Sequence, residues 1–343
     1  MRQTTILAFA GGVGGAKLAL GLARSLPPDQ LTIVVNTGDD FEHLGWHISP
    51  DLDTVMYTLA GLSNPETGWG LAGESWNFLD ALDRLGGEAW FRLGDCDLAT
   101  HAQRTRLLGE GLPLSAVTRH LCERLGVTAE IVPMSDDPVR TIVHTDDGPL
   151  PFQEYFVHRR CEPRVRDFEF LGLPSARPQA RLLEALAGAE MLIYCPSNPY
   201  VSIAPIVNLP GLQPLIASRR AAGMPVVAVS PIVGGAALKG PAAKMMTELG
   251  LDSTVIALAE HYAGTIDGLV LDVVDAASAP AIELLGLRTL VTNTIMATDA
   301  DKIRLAQETV EFALSLKGHG DAETGRRGDR ETRRHGDIVD PGD

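Results

Sequence analysis

Several short stretches of this 343-residue sequence bring together residue types that could do chemistry, and the first of them is Gly11-Gly12-Val13-Gly14-Gly15-Ala16-Lys17. Glycines let a backbone approach a ligand closely, and a helix that starts after them offers unpaired N–H groups to an anion. The run contains no GxxxxGK[ST], and Lys17 stands where GxGxxG requires its third glycine. It is therefore neither a P-loop nor a dinucleotide fingerprint. A tight turn that serves packing alone is the competing reading.

A second stretch, Asn36-Thr37-Gly38-Asp39-Asp40, follows an apolar run. In open α/β sheets ligands sit outside the carboxyl ends of strands, where this loop would lie. Its acidic pair suits Mg²⁺, which takes one or two carboxylates together with waters and substrate phosphates. Asp39, next to the glycine, is the expected ligand, while Asp40 could equally cap a helix. Ser49-Pro50-Asp51-Leu52-Asp53-Thr54 adds two carboxylates, although Ser49 or Asp51 could be an ordinary N-cap. Arg92-Leu93-Gly94-Asp95-Cys96-Asp97, with Thr100 and His101, gathers a base, acids and an imidazole within ten positions. Two later loops, Pro196-Ser197-Asn198-Pro199-Tyr200-Val201-Ser202 and Ser230-Pro231-Ile232-Val233-Gly234-Gly235, carry the hydroxyl, amide and glycine groups of a nucleotide cradle. Pro-punctuated connecting loops are the plain alternative. Lys239 and Lys244 could add positive charge just beyond.

The elements that must position these groups read as βαβ units, with buried parallel strands as short apolar runs. Thr5–Ala10, Leu31–Val35, Met191–Cys195, Val226–Val229, Leu269–Val273 and Thr289–Val291 are expected strands. Ala16–Leu26, Leu212–Ala221 and Asp299–Leu316 are expected helices. From about 52 to 125 the apolar spacing is helical, over Asp53–Ala60, Ser75–Leu85, Ala99–Leu108 and Leu114–Leu125. A β-rich stretch from about 130 to 170 follows, with Glu130–Val132, Thr141–Thr145 and Phe152–Val157 as strands. The expected fold is α/β, a Rossmann-like, mostly parallel sheet whose helical and β insertion closes over the cleft. Residues 1–317 form one domain in this reading. Residues 318–343, rich in Gly, Arg, Asp and Glu, are expected to be a disordered tail without a role in the chemistry.

A net charge of −15 argues against nucleic acid and anionic membranes as partners, and no apolar run reaches the length of a membrane span. The N-terminus lacks the pattern of a secretory signal. Cys96, Cys122, Cys161 and Cys195 form no CxxC pair, which fits reduced thiols in a cytoplasmic protein.

Taken in order, GGVGGAK, NTGDD, SPDLDTVMYTLAG, RLGDCDLATH, PMSDDPV, FQEYFV, PSNPYVSI and SPIVGG resemble the 2-phospho-L-lactate transferases of coenzyme F420 biosynthesis. The resemblance runs from Thr4 to about Thr298. It implies transfer of a phospholactyl or phosphoenolpyruvyl group from a guanosine diphosphate donor. The acceptor is the ribityl hydroxyl of 7,8-didemethyl-8-hydroxy-5-deazariboflavin, and GMP is released. It also implies Mg²⁺ on Asp39, a homodimer, and a deazaflavin held by Asp53 and Arg92, with Thr100 and His101 nearby. Ser197, Asn198 and Ser202 would contact the guanosine diphosphate, with Gly12, Gly14, Gly15 and Gly234 also at the substrate. Asp53 or Asp40 could take the ribityl proton, and a metal-assisted route without a dedicated base is equally consistent.

Two other readings compete. A sugar-nucleotide-binding regulator resembling the gluconeogenesis-factor relatives would share the glycine-rich opening and the fold, but FQEYFV, PMSDDPV and the Asp39–Asp40 pair fit the transferases better. A nicotinamide-dependent oxidoreductase rests only on strand–glycine–helix geometry and lacks the third glycine.

Overall fold

The computed structural model describes residues 4–237 and 241–317; Lys239 and the stretch 318–343 lie outside them. The apolar runs Ile6–Ala10 (β1), Leu31–Val35 (β2), Glu130–Pro133 (β3), Met191–Tyr194 (β4), Val226–Val229 (β5), Gly268–Asp272 (β6) and Arg288–Thr292 (β7) are strands. They form one parallel sheet in the order β7-β6-β5-β4-β1-β2-β3. The chain winds outward from β1 to β3, returns to lay β4 against β1, and winds outward on the other side. This is the doubly wound Rossmann order, with its switch point between β1 and β4.

Both faces of the sheet are covered, which is why its central strands alternate between two apolar clusters rather than between core and solvent. Ile6, Ala8 and Ala10 pack with Leu18, Leu22 and Leu305. Leu7 and Phe9 pack on the opposite side with Leu182, Leu192 and Ile216. On the first face lie the helices Gly12–Ser25 (α1) and Pro50–Leu59 (α2), and the closing helix Asp299–Leu316. A Cβ at Gly21 would stand 2.1 Å from the Lys302 carbonyl oxygen, so this glycine lets α1 and the closing helix touch backbone to backbone. The closing helix begins with a capping box in which Thr298 and Asp301 satisfy each other's backbone N–H. No single helix among the described residues is long and apolar enough to cross a membrane.

The crossover from β2 to β3 holds the expected helices, now bounded as α2, Asn77–Arg84 (α3), Asp97–Gly109 (α4) and Leu114–Arg124 (α5). Three expectations need correction. The first helix starts at Gly12 rather than Ala16, so the glycines form its opening turn instead of a loop before it. Glu130–Pro133 belongs to the main sheet beside β2, not to the β insertion. Phe152–Val157 is not a strand: Glu154–His158 forms a wide helical turn, and its Phe156 stacks on Phe152 just before it. The β insertion is a three-stranded antiparallel sheet of Arg140–Thr145, Gly148–Pro151 and Val165–Leu171.

Candidate active site at the switch point of the sheet

A cleft of about 460 Å³ opens at the carboxyl ends of β1 and β4. Its floor is the first turn of α1 against the loop that follows β4, residues almost 190 positions apart. Here the glycines are needed for close approach. A Cβ at Gly14 would lie 2.2 Å from the Pro196 carbonyl oxygen, and one at Gly15 would lie 2.5 Å from Ser197 Oγ. At Gly11 it would meet Asp51 Oδ2 at 2.5 Å. The Gly11 N–H donates to Ser197 Oγ (3.0 Å), and Gly12, at φ +61, donates to Asp51 Oδ1 (2.7 Å). Val13 and Gly14 line the cleft, and the amides of a helix's first turn have no partner within the helix. Opposite, Asn198 caps its own helical turn by accepting from the Tyr200 and Val201 N–H groups.

Asp51 therefore caps α1, not the helix it opens. Its second oxygen accepts from Asn36 Nδ2 (3.0 Å), and Asn36 is fully buried. Burial pushes the Asp51 carboxyl up to about 6, against the Asn36 and Gly12 hydrogen bonds. Asp39 lies beside it in the cleft wall, 5% exposed, and its Oδ1 has no hydrogen-bond partner. Burial drives the Asp39 carboxyl well above its usual range, and the Asp51 and Asp40 carboxylates add to the effect. A buried carboxylate oxygen without a donor, in the field of two further carboxylates, is a place that a cation would relieve. Among the described residues no three His, Cys, Asp or Glu side chains enclose a metal by themselves. An Mg²⁺ that keeps waters and takes substrate phosphate oxygens needs no such cage, so the donor set fits that ion.

The wall on the α2–α4 side is a buried polar network. Arg104, 2% exposed, grips Asp53 with both terminal nitrogens, Nη1 at 3.0 Å from Oδ2 and Nη2 against Oδ1. Burial pushes the Asp53 carboxyl up while the Arg104 guanidinium opposes it. Arg104 Nη1 also lies 3.3 Å from His101 Nδ1. On the other side of the ring, His101 Nε2 lies 3.2 Å from Asp97 Oδ2. Tyr57 donates to Asp97 Oδ1 (2.6 Å). Burial raises the Asp97 carboxyl, but His101 and Tyr57 outweigh it and hold the group below its ordinary value. Trp69, Phe91, Phe152 and Phe156 complete the apolar side of the cleft. Trp69 is 44% exposed there, a large flat ring left uncovered.

Of the residues expected at the site, Gly12, Gly14, Asp39, Asp53, His101, Ser197, Asn198 and Ser202 line this cleft. The others lie outside its lining. Gly15 supports the floor from behind. Asp40 faces away, accepting from His47 Nε2 (3.0 Å) and Ser49 Oγ (2.8 Å), so neither it nor Ser49 caps a helix through its side chain. Arg92 is exposed, its guanidinium 4.2 Å from the centre of the Trp76 ring. Thr100 is directed toward Tyr57. Gly234 donates to Asp275 Oδ2 (2.9 Å), and Lys244 pairs with Glu248 (2.5 Å). Asn36, Tyr57, Arg104 and the aromatic wall were not among the expected site residues.

Residues 6–310 match the family described as 2-phospho-L-lactate transferase CofD. The chain belongs to that family. A phosphoenolpyruvate transferase of Streptomyces griseus is 42% identical to it over 319 residues, covering 91% of this chain and 99% of the relative. A 2-phospho-L-lactate transferase of Methanosarcina mazei is 37% identical over 306 residues, covering 89% and 99%. A solved UPF0052 family protein from Bacillus halodurans superposes with a TM-score of 0.57 over 90% of this chain and 99% of its own. At 14% identity that likeness concerns the fold alone. This CofD-family chain is thus a transferase of the phospholactate and phosphoenolpyruvate type, and its cleft lies where the motifs of the family resemblance converge.

Proposed function

We propose that this protein moves a phosphoenolpyruvyl or phospholactyl group from a guanosine diphosphate donor to the ribityl hydroxyl of 7,8-didemethyl-8-hydroxy-5-deazariboflavin, releasing GMP, with Mg²⁺ held at Asp39. The likeness to the Streptomyces phosphoenolpyruvate transferases, 41–43% identical against 36–38% for the phospholactate transferases of the methanogens, favours the enolpyruvyl donor. The cytoplasmic location rests on the cysteine usage of the sequence, and a homodimer is carried over from the family resemblance alone. The observation that carries the reading is the composition of one cleft. It has a glycine-built helix start at one end, a buried carboxylate with one oxygen left without a donor beside it, and an aromatic wall with carboxylates opposite.

Phosphoryl transfer asks a protein chiefly to position two substrates and to neutralise charge. The Val13 and Gly14 amides would take diphosphate oxygens, Asp51 fixing the turn that presents them. Asp39, oriented beside Asn36, would hold the cation, which supplies positive charge to the transferring group when bound. Asp53 and Asp97 would accept hydrogen bonds from acceptor hydroxyls. Because Arg104 occupies both oxygens of Asp53, that residue is better suited to binding than to removing a proton. The aromatic wall offers Trp69 as a surface for a planar ring and keeps water from the reacting groups.

The test is turnover with the deazaflavin alcohol, Mg²⁺ and each guanosine diphosphate donor in turn, followed by mass spectrometry. Phosphorylated deazaflavin and equimolar GMP are expected, faster with the enolpyruvyl donor. Absence of product from either donor with folded protein, together with tight binding of a uridine sugar nucleotide, would transfer the case to the regulator reading.

A further inference from the structure

The cleft carries a charge imbalance. Asp39, Asp51, Asp53 and Asp97 all line it, whereas among its described lining residues Lys17 is the sole Lys or Arg. A diphosphate would bring more negative charge to the same place. Lys17 projects from the second turn of α1, and side chains on a helix lean back over the residues three and four positions earlier. Those residues are Gly14 and Val13, both in the cleft wall. The lysine stem therefore runs toward the floor on which a diphosphate would rest.

Its ammonium is already placed. Lys17 Nζ donates to the Met296 carbonyl oxygen at 3.0 Å, across 279 positions of chain. Met296 and Thr294 line the cleft from the segment that joins β7 to the closing helix. The same segment is pinned elsewhere. Arg304 Nη2 donates to the Asn293 carbonyl (2.6 Å), and both the N–H and the hydroxyl of Thr294 donate to Asp272 Oδ2 (2.7 and 3.0 Å). Lys17 is the anchor that comes from the cleft side. An ammonium has three N–H donors, so holding a carbonyl is compatible with holding a phosphate oxygen.

We propose that Lys17 binds the donor's diphosphate while keeping the Met296 carbonyl, so that the residue neutralising the phosphates also fixes segment 293–297 beside the nucleotide. The inference rests on the guanosine diphosphate reading and adds the side chain that meets the phosphate charge.

Calorimetric titration of GDP, GMP and guanosine, at one Mg²⁺ concentration, into wild type, Lys17→Gln and Lys17→Arg is the test, with thermal melts checking that each variant folds. The expected result is a loss of about tenfold or more in GDP affinity for Lys17→Gln, a smaller loss for GMP, and guanosine within about twofold of wild type. Lys17→Arg should recover most of the GDP affinity, and it provides a second cationic variant should Lys17→Gln fold poorly. Equal losses for GDP and guanosine would show a lysine that only tethers the segment and would overturn the proposal, as would unchanged GDP affinity. Failure of the wild type to bind GDP would overturn the guanosine diphosphate reading itself, and this inference with it.

Discussion

Replacing Arg104 by Met tests the buried network behind the cleft. The substitution keeps much of the stem volume but removes the charge that faces Asp53 from both terminal nitrogens. Both side chains are buried, Arg104 to 2% and Asp53 to 5% exposure, so solvent cannot replace the lost partner. Breaking a buried pair from one side costs about 3–5 kcal/mol, because an uncompensated charge remains. With an unfolding entropy near 2.1 cal/mol/K per residue, a chain of this size would lose about 4–7 °C in Tm. The second arm is the double variant Arg104→Met with Asp53→Asn, which removes both charges and should regain about half of that loss. The pH dependence has a definite sign. Without its arginine, Asp53 has a folded pKa further above its unfolded value, so the folded state holds the proton more tightly. The deficit of Arg104→Met is then small at about pH 4 and grows as pH rises through the raised pKa. Thermal melts by circular dichroism from pH 4 to 8 measure all of this. A double variant no more stable than the single one, with a deficit independent of pH, would mean that only packing was lost and would refute the charge argument.

Three further outcomes are expected. Asp39→Ala should reduce turnover to below about one hundredth while leaving Tm at or above the wild-type value, since a desolvated carboxylate is removed; near-normal activity in the folded variant would sink the metal assignment. Trp69→Ala should raise KM for the deazaflavin acceptor about two- to tenfold with kcat little changed, read from steady-state kinetics. Asp95 accepts from Ser75, Asn77 and Phe78, and those bonds, led by Ser75, bring its pKa down to about 2. Its contribution is therefore present above the unfolded value near 3.9 and disappears as pH falls toward 2, so the Tm gap between wild type and Asp95→Asn should close over that window.

The elements read most directly from the sequence were those whose burial is uniform. Leu31–Val35, Val226–Val229 and the helix Leu212–Ala221 have the bounds that their apolar runs and spacing suggest. Glu130–Val132 was given to the insertion because so short a run does not say which sheet it joins. Phe152–Val157 is aromatic and β-branched enough to suggest a strand, yet Phe152, Tyr155 and Phe156 are spaced by three and four, the signature of a turn of helix. Val165–Leu171 went unseen because Arg166, Asp167 and Glu169 are exposed and interrupt its apolar pattern. In the site, the glycines and the Asp39 loop were visible as local patterns. Arg104 was not, since an arginine on a helix is by default a surface residue; the available signal was its place three after His101 and three before Leu107, on one face. Asp51 looked like the cap of its own helix, and nothing nearby in sequence reveals that its partner is Gly12. Its role is set by a contact across 39 positions.

The strand order has a consequence for the chain while it is being made. β1 takes β2 as one neighbour soon after synthesis begins, but its other neighbour starts only at Met191. At about 5–20 residues per second the ribosome needs roughly 10–40 seconds to deliver that partner. Throughout the interval the Ile-Leu-Ala-Phe-Ala edge of β1 stands open, an apolar strand of the kind that recruits other chains. The place where the finished protein joins its two halves around a cleft is thus, in the nascent chain, the exposed seam that a chaperone would have most reason to cover.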